Sequence, residues 1–351
     1  MSLSFIVPGS LDQLTGGYLF DKHLVDGLRA AGRAVTVHEL PGSFPEADAT
    51  AQRAAGKLIA SLPEGAVAVI DGLALPAFAQ CLTRAAAARL RLVAFVHHPL
   101  ALETGLSAEA SAQLAGLEAR LLSRLRGVLC PSAGTAWAIE EYGVERDRII
   151  VTPPGFAKPA LPPRRTPPGG PLRLLAVGTV TPRKGHALLI EALSELADRA
   201  WHLRCIGSLT RDRGTAAALE RAIDRHGLRD RVELAGEWPP ERLGAAYAEA
   251  DAFVLPSYYE GYGMAFAEAL IHGLPIVATT GGAIAETVPA EAGLLVPPGD
   301  RGALVGALRM LLDGPELRAR LAAAALRAGE KLPDWKTALA RWSAALDRLT
   351  A

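Results

Sequence analysis

The 351-residue chain has only three cysteines, Cys81, Cys130 and Cys205, too few and too far apart for a disulfide framework or a cysteine-rich metal site. It has no excess of either charge. Thirty-seven basic residues balance thirty-seven acidic ones, which leaves no electrostatic footprint for nucleic acid. No apolar run approaches the roughly 18 residues a membrane span needs. The N-terminal MSLSFIVPGSLDQ has no basic flank and only a five-residue apolar run, so it reads as a strand and not as a leader peptide. These absences point to a reducing compartment, with the cytoplasm as the expected location. A G-x-G-x-x-G motif after the first strand is also missing, which argues against a dinucleotide-dependent oxidoreductase.

What the chain does have is hydrophobic residues, half of the total, arranged in an alternating pattern. Short continuous apolar runs at Leu3–Val7, Val35–Leu40, Val67–Ile70, Leu92–Val96 and Val128–Cys130 are separated by helical periodicities such as Tyr18–Ala31 and Gln113–Arg126. Apolar strands that do not alternate with polar residues belong to parallel sheets covered on both faces. The segment Thr152–Pro171 holds eight prolines in twenty residues and can be neither helix nor central strand. A second alternating series begins at Leu172. The expectation is therefore an α/β protein with two Rossmann-like units: residues 1–160, a linker at 161–171, residues 172–333, and a last amphipathic helix within 334–351. Arg120, Arg124 and Arg126 fall on one predicted helix, and such a basic face leaves peripheral membrane contact open.

Two junctions carry the chemistry. In Tyr258–Leu270, YYEGYGMAFAEAL, Glu260 and Glu268 flank a glycine turn that opens into a helix after the apolar run Ala252–Ser257. Gly261 and Gly263 let backbone approach a ligand, and the free amides of the first helical turn, from Tyr262 and Met264 onward, suit an anion. With Glu260 in the loop and Glu268 on the helix, each carboxylate can grip a different hydroxyl pair of one elongated ligand. The other junction follows Leu172–Gly178. Thr179–Gly185, TVTPRKG, places Arg183 and Lys184 at a helix start, where cations oppose the helix dipole unless an anion joins them. Carboxylates for hydroxyls and cations for a diphosphate describe a nucleotide-sugar site.

These motifs, together with Gly16-Gly17, GGAIAE (Gly281–Glu286) and GLLVPPGD (Gly293–Asp300), resemble those of the retaining glycosyltransferases of family 4. The resemblance implies the GT-B architecture, two doubly wound Rossmann-like domains facing a central cleft, with the final helix crossing back to the first. It also implies transfer of a hexosyl unit from a nucleotide diphospho-sugar to an acceptor hydroxyl. Many relatives place an arginine where this chain has Thr179, so the second cation falls to Arg183. The resemblance assigns donor contacts to Gly16, Gly17, Gly178, Thr179, Gly261, Tyr262, Gly263, Met264 and Glu268. It assigns catalytic contacts to Arg183, Lys184, Glu260 and one of the pair His97 and His98. Asp71, Gly281, Gly282 and Glu286 are candidates for the sugar or acceptor pocket. No Asp-x-Asp motif occurs, so no metal ion and no cofactor are expected. Removing Lys184 is expected to affect turnover and not folding. The acceptor has no readable signature. A nucleotide-sugar epimerase and a non-catalytic nucleotide-sugar-binding protein are the competing readings.

Overall fold

The structure is a computed structural model that describes residues 2–159 and 170–351. It divides into two compact units, Met1–Gly155 with Pro333–Ala351, and Phe156–Leu332. Most of the expected linker lies outside the described residues.

The first unit is built on β1 (Leu3–Pro8), β2 (Val35–Leu40), β3 (Val67–Asp71), β4 (Arg91–Phe95), β5 (Gly127–Cys130) and β6 (Ile149–Val151). All are parallel, in the order β2-β1-β3-β4-β5-β6. Every residue of β1, β3 and β5 is buried, which is why their sequences are apolar without alternation. The register sets Ile70 of β3 beside Ile6 of β1, and Asp71 beside Phe95 of β4. Chain order reverses between β1 and β3, and in doubly wound sheets ligands bind outside the strand ends at such a point.

The last helix, Trp335–Thr350, is capped by Asp334, which accepts from the Thr337 amide at 2.7 Å. Its Trp342 lies fully buried against Phe5 and Phe95, with ring centroids 6.1 and 6.0 Å away. The helix therefore belongs to the core of the first unit.

The second unit repeats the plan with β7 (Leu172–Val177), β8 (Trp201–Ile206), β9 (Val232–Leu234), β10 (Ala252–Leu255), β11 (Ile276–Thr279) and β12 (Gly293–Val296). The order is β12-β11-β10-β7-β8-β9, again all parallel, so chain order reverses between β7 and β10. One apolar core fills this unit, from Leu174 and Trp201 through Phe253 and Phe266 to Leu308.

Two expectations are corrected. The helix expected to run to Arg126 spans Ala108–Leu122. Beyond its end Arg124 turns to donate to the Leu82 carbonyl at 2.6 Å, so the three arginines form no stripe. The helix expected from Tyr18 begins two residues earlier, so Gly16 and Gly17 are the first two residues of the helix Gly16–Ala30. Among the described residues, no helix is long and apolar enough to cross a membrane.

Candidate functional site

The loops after β7 and β10 flank the reversal point of the second sheet, and they are stitched together. The Tyr258 amide donates to the Arg183 carbonyl at 2.7 Å. Gly185, at φ +69°, ends the 3₁₀ turn Pro182–Lys184, and a Cβ there would sit 2.2 Å from the Pro256 carbonyl oxygen. Only glycine permits this approach, which brings Arg183 and Lys184 under the Tyr258–Glu260 loop.

There the structure joins groups that the sequence reading assigned to different parts of a ligand. Glu260 is 6% exposed. Its Oε1 lies 2.6 Å from Lys184 Nζ and accepts from Ser257 Oγ at 2.7 Å, and its Oε2 lies 3.3 Å from Arg183 Nη1. Arg183 also donates to the Tyr259 carbonyl at 2.7 Å. Burial alone would raise the Glu260 carboxyl, but the charges of Lys184 and Arg183 outweigh it and hold it at about 2. The anion that two cations at a helix start require is thus supplied by the protein. Lys184 is consequently part of a network with buried Glu260, so its removal should cost stability, contrary to the expectation from sequence.

Gly178 stands behind Lys184, where a Cβ would come within 3.3 Å of the lysine stem, and half-buried Thr179 follows it. Gly263, at φ +88°, precedes the helix Met264–Ile271, so Gly261, Tyr262 and Met264 surround its start. The Tyr262 ring stacks on Phe156 at 6.1 Å. Glu268, on that helix, is half-buried, and its carboxyl is raised to about 7 by burial, with a hydrogen bond from buried Tyr247 acting in the opposite direction. Tyr247 was not anticipated; one tyrosine inside a helical pattern has no signature.

Gly281 and Gly282 lie against the Tyr258–Glu260 loop. A Cβ on Gly281 would fall 2.2 Å from the Tyr258 carbonyl oxygen, and one on Gly282 would fall 2.3 Å from that of Glu260. Glu260 and Gly282 form a bridge, and the Ala283 amide donates to the Glu260 carbonyl at 2.8 Å. These glycines admit the protein's own loop and so fix Glu260. Glu286 is exposed on the short helix Ile284–Thr287. His186, beside Lys184, is buried with both ring nitrogens unpartnered, and burial lowers it to about 4, so it is neutral.

The first unit gathers a second cluster at its own reversal point. His97 follows β4, and its Nε2 lies 3.0 Å from Asp21 Oδ1 and 3.4 Å from Asp71 Oδ2. Asp71 ends β3 and caps the 3₁₀ turn Gly72–Phe78 by accepting from the Leu73 amide at 2.6 Å. A Cβ on Gly17 would stand 3.3 Å from His97 Cδ2, so this glycine lets the helix approach the imidazole. The ligand atoms of the trio converge within 4.8 Å. Those distances suit a cation as well as a proton, and the His97 ring nitrogen already sits between the two carboxyls. His98 faces elsewhere, with Nε2 3.4 Å from Glu103 Oε2. Buried Glu118 holds the loop after His98 by accepting from the amides of Leu100 and Ala101 at 2.9 and 3.2 Å. Asp21 escaped the sequence reading, but a signal exists. It shares the buried helix face with Leu24, Val25 and Leu28, an ionisable residue in an apolar stripe.

Comparison with known proteins places this geometry. Residues 158–327 match the family described as Glycosyl transferases group 1, and residues 22–157 match Glycosyltransferase Family 4. A D-inositol 3-phosphate glycosyltransferase of Acidothermus cellulolyticus is 33% identical over 199 residues, covering 52% of this chain and 44% of its own length. The chain spans about half the length of the curated relatives it matches. The sucrose-phosphate synthase structure from Thermosynechococcus elongatus superposes with a TM-score of 0.82 at 20% identity, covering 99% of this chain and 98% of that one. HepE of Anabaena, solved with UDP-glucose, superposes with a TM-score of 0.76 at 19% identity, covering 99% of this chain and 100% of that one. The two sheets and these neighbours make the fold that of the GT-B glycosyltransferases.

Proposed function

Because this chain belongs to the glycosyltransferases of group 1 and family 4, we propose that it moves a hexosyl unit from a nucleotide diphospho-sugar to an acceptor hydroxyl, with retention at the anomeric carbon and without a metal ion. The observation that carries this reading is the convergence of Arg183, Lys184 and Glu260 at the reversal point between β7 and β10. When the glycosidic bond breaks, negative charge gathers on the departing diphosphate. Arg183 and Lys184 stabilise it, as preorganised donors stabilise an oxyanion; loss of one such donor typically costs about 10²–10³ in rate. As the diphosphate takes up the cations, Glu260 is released to accept from hydroxyls of the sugar, while Glu268 accepts from those of the ribose. The acceptor attacks from the face the diphosphate leaves, and the departing phosphate takes the acceptor's proton. UDP-glucose, the ligand of HepE, is the first donor to try.

The test is incubation with a panel of nucleotide sugars, with and without candidate acceptor alcohols, and measurement of released nucleotide by mass spectrometry. Release that requires an acceptor supports transfer. Release of nucleotide and free sugar without any acceptor would replace it with an epimerase, and binding without release would replace it with a sugar-nucleotide carrier.

A further inference from the structure

All hydrogen bonds and ion pairs that the structure gives His97 run through one ring nitrogen, Nε2, which faces Asp21 and Asp71. Asp21 is fully buried and Asp71 is 4% exposed, whereas the His97 side chain is 19% exposed. Gly17 packs against the Cδ2–Nε2 edge of the ring. The edge left toward solvent therefore carries Nδ1. Phe95 and Phe20 flank the imidazole with centroids 4.5 and 5.9 Å away and fix its plane. Two buried carboxyls side by side do not both ionise readily, and Asp21 Oδ2 has no hydrogen-bond partner. A neutral Asp21 is the less costly state.

We propose that Asp21 and Asp71 are positioning residues that lock His97 as an imidazolium with Nε2 inward, so that Nδ1–H is a permanent charge-assisted donor to an oxygen of the bound ligand and His97 is never a general base. That the ligand is a donor or acceptor of glycosyl transfer rests on the function proposed above; the ionic state of the ring does not. The electrostatics agree with the geometry. Burial pushes the Asp21 carboxyl up to about 8. Burial would lower His97, but hydrogen bonds to both carboxyls and the charge of whichever is ionised outweigh it and raise the imidazole. Asp71 is held below its usual value: burial opposes this, and the hydrogen bond and charge of His97 prevail. At neutral pH the trio then holds one carboxylic acid, one carboxylate and one imidazolium, with no net charge. The titratable groups that act on the ring are Asp21 from the helix Gly16–Ala30 and Asp71 from β3. A ring locked in this way cannot take up a proton from a ligand.

The experiment is NMR of the full chain labelled with 15N-histidine, with the His97 ring signals assigned by their loss in His97→Gln. The native ring should remain an imidazolium from pH 6 to about pH 9, and Asp71→Asn should lower its midpoint by about 1–3 units. Asp21→Asn should lower it too. A neutral His97 ring at pH 7.5 in the native protein would overturn the proposal, and so would an unmoved midpoint in both folded variants. If neither variant folds, the native titration alone decides. Selective broadening of the His97 signals by equimolar Mn²⁺ would also overturn it, by making the trio a cation site. In the transfer assay the native pH–rate profile should show no inflection from His97 between pH 6.5 and 8.5, whereas Asp71→Asn should gain one. If no donor is turned over, the transfer reading fails and the ring titration still stands or falls by itself.

Discussion

Lys184 Nζ lies 2.6 Å from Glu260 Oε1, joining residues 76 positions apart in the chain. The cation meant for a diphosphate and the carboxylate meant for a sugar are each other's partners. On the function proposed above, ligand entry here is an exchange of ion pairs: the diphosphate would take the two cations and free the carboxylate for the sugar hydroxyls. In this structure neither charge is buried without a partner, since Glu260 pairs with both cations and also accepts from Ser257.

Lys184→Ala should lower kcat/KM by at least about 100-fold, because it removes charge that acts on the departing diphosphate. It should also lower folding stability, by up to about 3 kcal/mol, since it takes one of two cations from buried Glu260. Adding Glu260→Gln should restore much of the stability and none of the activity. Urea unfolding and steady-state kinetics on the single and double variants decide it. A single variant as stable as the native protein would mean that the ion pair contributes nothing in solution.

The Glu260 pair predicts a particular response to acid. Its carboxyl is held at about 2, below the ordinary 4.5. A depressed carboxyl stabilises the folded state above its unfolded value and loses that contribution as pH falls from about 4.5 through about 2. Native protein should therefore exceed Glu260→Gln by an amount on the order of 3 kcal/mol at pH 5. The gap should narrow by pH 3, as unfolding free energies measured at the two pH values would reveal. An equal gap at both would show that Glu260 is not ionised by its neighbours.

The two glutamates should separate in calorimetric titrations. Glu268→Ala should weaken the nucleoside diphosphate by about 1–3 kcal/mol, the cost of stranding a polar ligand group. Glu260→Ala removes the competitor for Arg183 and Lys184, so the bare diphosphate should bind as well or better while the intact sugar donor weakens. Glu268 titrates near 7, raised by burial, and its ionised form is the stronger acceptor. Nucleotide affinity should thus rise between pH 6 and 8 more steeply in the native protein than in Glu268→Gln. Tyr247→Phe, which removes a hydrogen bond that lowers the Glu268 carboxyl, should shift that rise to higher pH. Equal weakening of the bare diphosphate by both alanine variants would reverse the assigned polarity.

Exhaustive treatment with EDTA should leave most transferase activity intact if, as proposed, Arg183 and Lys184 take the place of a divalent ion on the diphosphate. Complete loss, restored by Mg²⁺ or Mn²⁺, would remove the basis of the metal-free reading.

The sequence by itself determined the two parallel sheets. Strands such as VAVID and AFVL are apolar without alternation because both faces are covered, and that pattern is local. It also placed Arg183, Lys184, Glu260 and Glu268 at strand-to-helix junctions, since glycine turns and helix starts are written in neighbouring residues. Whether a site residue meets ligand or protein was decided by tertiary structure. Gly281 and Gly282 read as ligand-facing glycines until the Tyr258–Glu260 loop is seen against them. The doubled His97-His98 leaves the register open in sequence; only the approach of the helix at Gly17, with Asp21 upon it, shows which of the two is set between buried carboxyls. The last helix announces an amphipathic face but not the sheet it covers, and it reaches the first unit only through long-range packing of Trp342 on Phe5 and Phe95. Periodicity and turn chemistry act over a few residues, whereas buried ion pairs and helix docking depend on contacts between residues far apart in the chain. Such contacts leave no mark in the local pattern.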